Sequence, residues 1–563
     1  MEVHMNEWAF NQGMVGYKRI LDYFGLTVPT TANGIIVKKE HLEQLPDAYF
    51  TYFLAKMNVA KQNERSLRSW HSQWKKGKKD YKKYLNNRLK DIHDKVKKYF
   101  KDDENGQMIL ENIKRYRKKR TYTEEMDHWL EKVIQGIHTE TINEKLTMNV
   151  IKTVYLQKLY FGQPSFVNVV HNAKTLEEQK EIFRKDYIQP VFDEWRLMDY
   201  IHRGDADNCR ALLQQTEHKQ LSSLKRPFNK RTAEEMKDYI EEEVLKCSLT
   251  DFPLGFYAFE ESVFSPLALS LKNALNSTWN SEGRNFFPIS ALAKLLLFCS
   301  PAGATIHRRK SIFVQFDGRF DEIYQANEHY YTEADRDKSF DEVIFDLARE
   351  QKLRADMLQK NYFILEYESD YNAKKTELDY MVLTPNLIQL FQKHRKLFHY
   401  IHSQNRSQFI KFLLKNIDTK HFISHILRDK IKNNYSSLEV MFMTILRHYA
   451  KFYARGDEYP MNADKQQNYI WVLYKSAEAV RAKIGLKKAQ GIAYRLLNAV
   501  QSDNKNTFMD TIMRVYVSSE LEMPPVLLEA LHENNLDFAT VGNAWIAGLI
   551  SKQNEEGEDS YEQ

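Results

Sequence analysis

The sequence predicts a mainly α-helical protein with a small β component (α+β), built as an elongated N-terminal domain over residues 1–430 and a C-terminal helical bundle over residues 431–563. Only 19 glycines and 13 prolines occur in 563 residues, and a shortage of turn-forming residues favours helices over a strand-rich fold. Apolar residues recur every three or four positions along much of the chain, which is typical of amphipathic helices. A chain of this length also needs more than one hydrophobic core.

The composition argues against several classes of protein. Hydrophobic residues make up 43% of the chain, so wholesale disorder is not expected. The three cysteines, Cys209, Cys247 and Cys299, form no CxxC pair, so we expect neither a disulfide framework nor a zinc ribbon, and no metal or other cofactor. Acidic residues and a tryptophan stand where a signal peptide needs an apolar stretch. We therefore expect a cytoplasmic protein with no membrane partner.

The N-terminal helix is predicted over residues 6–24. Trp8, Gly13 and Gly16 share one face of this helix, and Gly25 stands where a glycine commonly ends a helix. The two glycines, three residues apart, would let a second backbone approach closely.

Positive charge is concentrated in residues 61–120, which hold 21 lysines and arginines against 8 acidic residues, although the formal net charge of the whole chain is only +6. Apolar spacing from Leu67 to Tyr99 predicts a long amphipathic helix, interrupted at Gly77. The basic residues of this segment are Lys75, Lys79, Lys82, Lys83 and Lys90 on the helix, followed by the cluster KRYRKKR at 114–120 with Lys114, Arg115 and Arg117. A charged helical face is often only solvated. Two such clusters, interleaved with tyrosine and tryptophan, also fit backbone contacts and base stacking with nucleic acid.

Residues 160–174, YFGQPSFVNVVHNAK, break the helical periodicity at Gly162 and Pro164. Such a segment is usually an ordinary connector. Its short amides and hydroxyls are also the chemistry that contacts base edges in a groove.

A buried helix is predicted over residues 289–299, an apolar run in which only Ser290 and Lys294 are polar. A run of this length bounded by proline and glycine is too short to span a membrane and is typical of a core helix. Other elements must therefore wrap it on nearly all sides. Short strands are predicted over 311–316, 361–367 and 380–384.

Motifs of enzymatic chemistry are missing from the sequence. No glycine-rich phosphate loop of the GxxxxGK type occurs, and His421 and His425 lack the glutamate of a zinc protease. Glu366, Glu368 and Asp370 invite comparison with a metal-dependent nuclease, but the expected lysine is absent from the same strand. We interpret these carboxylates as a solvated strand edge and expect a binding protein, not an enzyme.

The C-terminal residues predict a basic bundle of about five helices, large enough to hold its own core. Residues 431–520 carry 13 lysines and arginines against 8 acidic residues. Five of these cations are clustered, as a single strand of nucleic acid would require: Arg481, Lys483, Lys487, Lys488 and Arg495. Met441 and Met443 lie near the start of the bundle.

Four stretches, taken together, resemble the large subunit of the type I-B CRISPR interference complex, Cascade. They are EWAFNQGMVGYKRIL at 7–21, FGQPSFVN at 161–168, FFPISALAKLLLFCSPAGAT at 286–305 and YRLLNAVQSDNKNTFMDTIMRVYVSS at 494–519. Relatives often carry paired cysteines before the apolar helix. Residues 252–288 have none, so the zinc of such relatives is not expected here.

The resemblance implies a non-catalytic subunit that recognises the protospacer-adjacent motif in target double-stranded DNA, supports R-loop formation and recruits the helicase-nuclease. The implied partners are the guide CRISPR RNA, the target DNA, the backbone and guide-end-capping subunits, and small subunits, which in relatives are often made by internal translation of the same gene. In that case the fragment would begin at Met441 or Met443.

Within this family, residue type gives each candidate a role. The motif-reading candidates are Gln163, Ser165, Asn168, Asn172 and Lys174. The nucleic-acid backbone candidates are Lys75, Lys79, Lys82, Lys83, Lys114, Arg115, Arg117, Arg308, Arg309 and Lys310. The displaced-strand candidates are Arg481, Lys483, Lys487, Lys488 and Arg495. A stand-alone nuclease of a defence system is the alternative, and a helical scaffold without a nucleic-acid role is a third possibility.

Overall fold

The computed structural model describes residues 1–267, 287–307, 310–328, 340–349, 360–373, 375–454, 463–533 and 535–551. The chain divides into two compact units. Residues 1–313, 318–336 and 366–379 form the first unit, and residues 314–317, 337–365 and 380–563 form the second. Helices dominate and the strands form only small sheets, so the predicted fold class is confirmed. The second unit contains residues 380–430 as well as the predicted bundle, and the domain boundary near residue 430 stays a prediction.

We label the α-helices in chain order. Those up to residue 328 are α1 Trp8–Tyr23, α2 Lys39–Lys56, α3 Val59–Lys75, α4 Tyr81–Tyr99, α5 Glu104–Lys118, α6 Glu125–Ile137, α7 Glu140–Val150, α8 Leu176–Phe183, α9 Gln189–His202, α10 Ala206–Gln215, α11 Lys225–Phe228, α12 Ala233–Glu243, α13 Glu261–Phe264, α14 Ala291–Phe298, α15 Ser300–Gly303 and α16 Phe320–Glu328. A π-helix, Ile151–Phe161, continues α7, and a second one, Arg184–Ile188, joins α8 to α9.

The later helices are α17 Phe340–Arg349, α18 Pro385–Lys393, α19 Arg395–His399, α20 Ser403–Leu414, α21 Lys420–Asn433, α22 Leu438–Ala454, α23 Ala463–Ile484, α24 Leu486–Gln501, α25 Lys505–Ser519, α26 Glu529–His532 and α27 Phe538–Leu549. No helix among the described residues is both long enough and apolar enough to cross a membrane.

The strands are β1 Glu2–His4, β2 Thr30–Thr31, β3 Gly34–Ile36, β4 Tyr257–Ala258, β5 Pro288–Ile289, β6 Thr305–His307, β7 Lys310–Gln315, β8 Tyr362–Asp370 and β9 Lys375–Leu383. They form sheets of order β1-β3-β2, β4-β5 and β6-β7-β8-β9. In the first sheet β3 pairs antiparallel with both neighbours, with Val3 opposite Ile35. The strands predicted over 311–316, 361–367 and 380–384 correspond to β7, β8 and the end of β9.

Helix α1 packs against α14 and α15 at the two glycines for which the sequence predicts a close backbone approach. A Cβ atom on Gly13 would lie 2.4 Å from the carbonyl oxygen of Leu296, and one on Gly16 would lie 2.0 Å from that of Cys299. From the other side, a Cβ atom on Gly303 would lie 1.9 Å from the carbonyl oxygen of Gln12. The two backbones are therefore in direct contact, which confirms the predicted close approach.

The apolar run folds as the predicted core helix. Helix α14 is buried at every position except Lys294, which is partly buried. The Ser290 hydroxyl accepts the backbone N–H of Ala293 at 3.2 Å and so caps the helix. Beyond Cys299 the chain enters α15 directly, so the single predicted helix over 289–299 is shorter and is followed by a second turn of helix.

Helices α3 to α7 have a hydrophobic core of their own, formed by residues such as Leu67, Leu89, Ile113 and Val133. Gly77 has a φ of +88°, a left-handed conformation that non-glycine residues rarely adopt. It therefore ends α3, and the single long helix predicted from Leu67 to Tyr99 is two helices packed against each other.

In the second unit, α27 is the central helix of the bundle. All of its residues except Ala539 are buried, and it packs against α21 to α24. Met441 and Met443 are buried in α22. A fragment starting at either methionine would lack α21, which packs against α22, α24 and α27.

We expect Gly16→Ala to destabilise the protein, because its Cβ atom must push apart two helix backbones. Overpacking of this kind costs about 1–3 kcal/mol, so the midpoint of thermal unfolding should fall. Gly491→Ala is the matched control, since Gly491 lies in α24 and a Cβ atom added there would have no other atom within 4 Å. In a helix that change should stabilise by about 0.5–1 kcal/mol. Equal effects of the two substitutions would contradict the close contact.

Candidate nucleic-acid interface

The two basic clusters predicted from the sequence meet in the structure. Lys82, in the first turn of α4, donates a hydrogen bond to the carbonyl of Lys119 at 2.8 Å and another to the carbonyl of Arg120. The end of α3, the start of α4 and the end of α5 therefore lie together. We call the surface formed by residues 75–83 and 114–120 the basic pole.

Ion pairing decides which of the predicted cations of the basic pole can bind a ligand. Lys75 donates to Asp127 at 2.9 Å, and Arg115 forms an ion pair with Glu111. The Lys82 ammonium is held by the two carbonyls, and its burial lowers the pKa of this lysine. The predicted cations that are exposed and have no ion pair among the described residues are Lys79, Lys83, Lys114 and Arg117. These four remain available to phosphate groups.

Electrostatic attraction to helix C-termini accounts for the positions of only some of these cations. Cations are stabilised at helix C-termini, where the backbone carries a partial negative charge, and Lys114 to Lys118 occupy the last turns of α5. Lys82 and Lys83 lie instead in the first turn of α4, where the backbone repels them. Their position there is unfavourable for the helix.

A hydrogen-bonded network supports the basic pole from beneath. The Asp127 carboxylate accepts from Lys75, from the Tyr122 hydroxyl at 2.7 Å and from His71 Nε2 at 2.6 Å. His71 Nδ1 lies 2.6 Å from the Tyr116 hydroxyl. Burial alone would raise the pKa of Asp127, but the three hydrogen bonds outweigh it and lower that pKa from 3.8 to about 2.

The exposed face of α4 extends the positive charge away from the pole. Lys83, Lys90 and Lys97 are exposed and lie seven residues apart, so they share one side of the helix. Beside them Tyr84 is 51% exposed. Trp74 and Tyr116, by contrast, belong to the hydrophobic core. Stacking of these two rings on bases, as the sequence suggested, is wrong because their faces are covered by other helices.

The loop of the motif-reading candidates has an unusual backbone. Gly162 has a φ of +71° and Ser165 a φ of +49°, and the second value is rare for a residue with a side chain. Two 3-10 turns follow, Ser165–Val167 and Val169–His171. Lysines fix this loop from the preceding helices. Lys145 donates to the carbonyl of Lys174 at 2.8 Å, and the buried Lys152 donates to the carbonyl of Asn168 at 3.4 Å. Burial lowers the pKa of Lys152 to about 8.

The motif-reading candidates differ in how free their side chains are. Gln163 is exposed and has no hydrogen-bond partner among the described residues. Asn168 Oδ1 accepts the backbone N–H of Val170 at 3.0 Å, so this side chain caps a turn. The Lys174 ammonium lies 3.3 Å from Glu178. Asn172 Oδ1 and Ser165 Oγ are buried without a partner in the part of the chain that the structure describes. Gln163 is therefore the best placed of the five to meet a base edge.

Two apolar side chains at the loop surface were missed by the sequence analysis. Val169 is 45% exposed and Val170 is 70% exposed. Adjacent valines within a predicted polar loop were the available signal. Proteins that kink or open duplex DNA often insert apolar side chains between base steps.

The last residue of the loop, Lys174, and the basic pole lie near opposite ends of α4. The Lys145 ammonium that binds the loop lies 5.5 Å from the ring of Tyr99, the last residue of α4. The basic pole contains the first residues of the same helix. With 19 residues, α4 is about 28 Å long. One straight duplex, rising about 3.4 Å per base pair, would need about eight base pairs to reach from one to the other.

The predicted cluster 308–310 is only partly described. Arg308 and Arg309 lie outside the described residues, and the Lys310 ammonium lies 3.3 Å from the Glu366 carboxylate. Glu366 is 4% exposed, so its interpretation as part of a solvated strand edge is wrong. Its lysine partner, Lys310, lies on the neighbouring strand β7 and not on β8, the strand that carries Glu366 and on which a lysine was sought. Within the described ranges no group of three or more metal-ligating side chains occurs.

In the second unit, the displaced-strand candidates surround one turn. Arg481 and Lys483 end α23, Gly485 turns the chain with a φ of +78°, and Lys487 and Lys488 begin α24. Arg495 is exposed two turns further along. None of the five forms an ion pair within the described part of the chain. This concentration of unpaired cations favours an anionic ligand.

Comparison of the chain with protein-family models, with curated protein sequences and with solved structures gave no match.

We expect Asp127→Asn to remove a pH-dependent part of the stability. A lowered folded-state pKa means that the Asp127 contribution is present above pH 3.8 and is lost as pH falls toward about 2. The difference in thermal unfolding midpoint between the parent and the variant should therefore be large at about pH 5 and should shrink on acidification. Asp102→Asn, at an exposed residue of the same helical module, is the control. A difference that stays constant over this pH range would contradict the network.

Proposed function

We propose that this chain is a non-catalytic nucleic-acid-binding subunit, the large subunit of a type I-B CRISPR Cascade complex. In this role it recognises an adjacent motif in target double-stranded DNA, supports R-loop formation and recruits a helicase-nuclease. The observation that carries the nucleic-acid part of the proposal is the joining of two sequence-distant basic clusters at Lys82 into one pole. The Cascade assignment is supported by the resemblance of the four sequence stretches to that family.

The basic pole and α4 fit contacts with the phosphate backbone. Lys79, Lys83, Lys114 and Arg117 are exposed and unpaired within the described part, so binding phosphates would not require breaking ion pairs. Lys90 and Lys97 continue the same charge along α4. Such contacts position a duplex without reading its sequence.

Motif reading is assigned to the loop at the other end of α4. Gln163 offers an amide that can both donate to and accept from a base edge. Val169 and Val170 would enter the stack next to it and help to separate the first base pairs. The displaced strand would then be bound by the unpaired cations around Gly485.

Double neutralisation of Lys79 and Lys83 to glutamine should weaken DNA binding about equally for all sequences. Each lost phosphate contact lowers the slope of log affinity against log salt by roughly 0.9, so the double variant should lose up to roughly 1.8. The measurement is duplex binding by fluorescence anisotropy over a range of salt concentrations.

The matched control is the double variant Lys75→Gln, Arg115→Gln. It removes the same number of charges, but both residues already have carboxylate partners, so its slope should change much less. Equal slopes for the two double variants would show that net charge alone controls binding. An unchanged slope for Lys79→Gln, Lys83→Gln would mean that these lysines form only a solvated face and do not contact phosphate.

Gln163→Ala should reduce discrimination between motifs while sparing non-specific binding. Loss of a bidentate base contact costs roughly 1–3 kcal/mol of preference. Selection from a pool of duplexes with randomised positions measures this preference directly. Gln135→Ala, at an exposed glutamine of α6, is the control. If Gln163→Ala selects the same motif as sharply as the parent does, motif reading lies elsewhere in the molecule.

The assembly itself is tested by co-purification with the products of the neighbouring genes, followed by extraction of bound RNA. A guide RNA and backbone subunits should be recovered with the full-length chain. Metal-dependent DNA cleavage that co-elutes with the chain and disappears on Glu366→Ala would instead support the nuclease.

A further inference from the structure

A cavity of about 780 Å³ lies in the first unit. Apart from Ser165, which is one of the motif-reading candidates, its lining residues have no role in the proposed nucleic-acid function. Its walls come from Pro164 and Ser165, from residues 185–196, from residues 212–220, from Tyr257 of β4 and from Lys294 of α14. Pockets that hold small molecules typically measure about 300–1,000 Å³. The cavity is therefore of a suitable size for a ligand.

Lys294 is the one polar residue of α14, and it projects into the cavity wall. Its ammonium lies 4.7 Å from the ring centroid of Tyr187 and 4.4 Å from that of Tyr257. Within the described ranges, it has neither an ion pair nor a hydrogen bond. Burial lowers the pKa of Lys294 to about 8, against the opposing charges of Asp186, Glu194 and Glu260. An ammonium held between two rings, with its hydrogen-bonding capacity unused, is available to an acceptor on a ligand.

Asp186 is the complementary group. It lines the same cavity, is only partly exposed, and has no ion pair or hydrogen bond within the described part of the chain. Its charge influences Lys294, yet the two groups lie beyond ion-pairing distance. A donor and an acceptor thus face one cavity without meeting each other, and a ligand with an acceptor beside a donor would bridge them.

The other buried polar groups of this wall are already satisfied by the protein. Asp193 accepts from Gln189 at 2.7 Å and from Thr216 at 2.5 Å. Glu194 behind the wall accepts the backbone N–H of Ala291 at 3.0 Å. His218 Nδ1 accepts the backbone N–H of Leu221 at 3.0 Å. The unsatisfied groups are concentrated at Lys294, Asp186 and the buried Ser165 hydroxyl.

Two further cations complete the site. Arg196 and Lys219 line the cavity, are exposed, and have no ion pair among the described residues. Because exposed cations at the rim of a pocket favour an anionic group, a ligand that is polar at one end and carries phosphate at the other fits this arrangement.

We propose that the cavity binds one guanine nucleotide. Lys294 donates to guanine O6 and N7, which are acceptors, and Asp186 accepts from the ring N1–H and the 2-amino group. Arg196 and Lys219 hold the phosphate. Adenine is disfavoured, because its 6-amino group would place a donor against the ammonium. This inference goes beyond the proposed function, since it concerns a single nucleotide in a cavity and not the duplex at the basic pole.

The experiment is calorimetric titration of the full-length protein with GMP, and with AMP for comparison. GMP should bind saturably and at least about tenfold more tightly than AMP. Asp186→Asn and Lys294→Met should each weaken GMP binding about tenfold or more, because each removes a charge-assisted hydrogen bond. Lys237→Met, at a lysine of α12 outside the cavity, is the control and should bind GMP as the parent does.

Several results would overturn the proposal. They are the absence of saturable GMP binding to the parent, equal affinity for GMP and AMP, and a GMP affinity that Asp186→Asn leaves unchanged. If Lys294→Met does not fold, the GMP affinity of Asp186→Asn alone tests the proposal. Salt-dependent duplex binding is measured in parallel on the same samples. A failure of the cavity proposal leaves that binding intact, so it is distinguishable from a failure of the proposed function.

Competition identifies the source of the nucleotide. The competitor is a thymine oligonucleotide with one central guanine. If GMP and this oligonucleotide displace each other, and an all-thymine strand does not displace GMP, the cavity takes an unstacked guanine from a strand. If GMP binds but neither strand displaces it, the ligand is a free guanine nucleotide.

Discussion

The first unit depends on the backbone contact between α1 and the α14–α15 pair. Glycines on both sides remove the side chains that would separate the two backbones. Once the helices touch, Gln12 reaches across the contact, donating to the carbonyl of Ser300 at 2.9 Å and to the Tyr367 hydroxyl at 2.7 Å. The Tyr367 hydroxyl lies 3.4 Å from the Tyr160 hydroxyl, which in turn lies 2.7 Å from the Ser311 hydroxyl, so Tyr160 belongs to the same buried network. Because Tyr160 stands immediately before the motif-reading loop, the position of that loop depends on the same contact.

The basic pole is supported by a different hydrophobic core. Helices α3 to α7 carry the basic pole on a hydrophobic core of their own, which contains no residue of α1. Separation of this kind has a physical advantage. Clustered like charges destabilise the helices that carry them, and a separate core confines that cost to one module. The hydrogen bonds of Asp127 beneath the pole offset part of this destabilisation.

Hydrogen-bond partners, more than residue type, decide what each candidate side chain can do. Lys75 and Lys79 are equivalent in the sequence, but only Lys75 has a carboxylate within reach. Asn168 and Gln163 are both amides in one loop, but Asn168 is committed to capping its own turn. For Lys294 the structure adds a possible role. In the sequence it is only a lysine that interrupts an apolar run, but in the structure its ammonium lies between two aromatic rings of a cavity wall. The available groups are those that the fold leaves without a partner.

Local spacing and composition were enough to predict the mainly helical class, the buried helix at α14, the close approach at Gly13 and Gly16, and the concentration of positive charge in residues 61–120. Each follows from periodicity or residue type within a short stretch. The joining of the basic clusters at Lys82, the burial of Trp74 and the cavity at Lys294 became known only from the folded chain. These features depend on residues far apart in the chain, such as Lys82 with Lys119, 37 positions away, and a single sequence carries no direct record of such pairings.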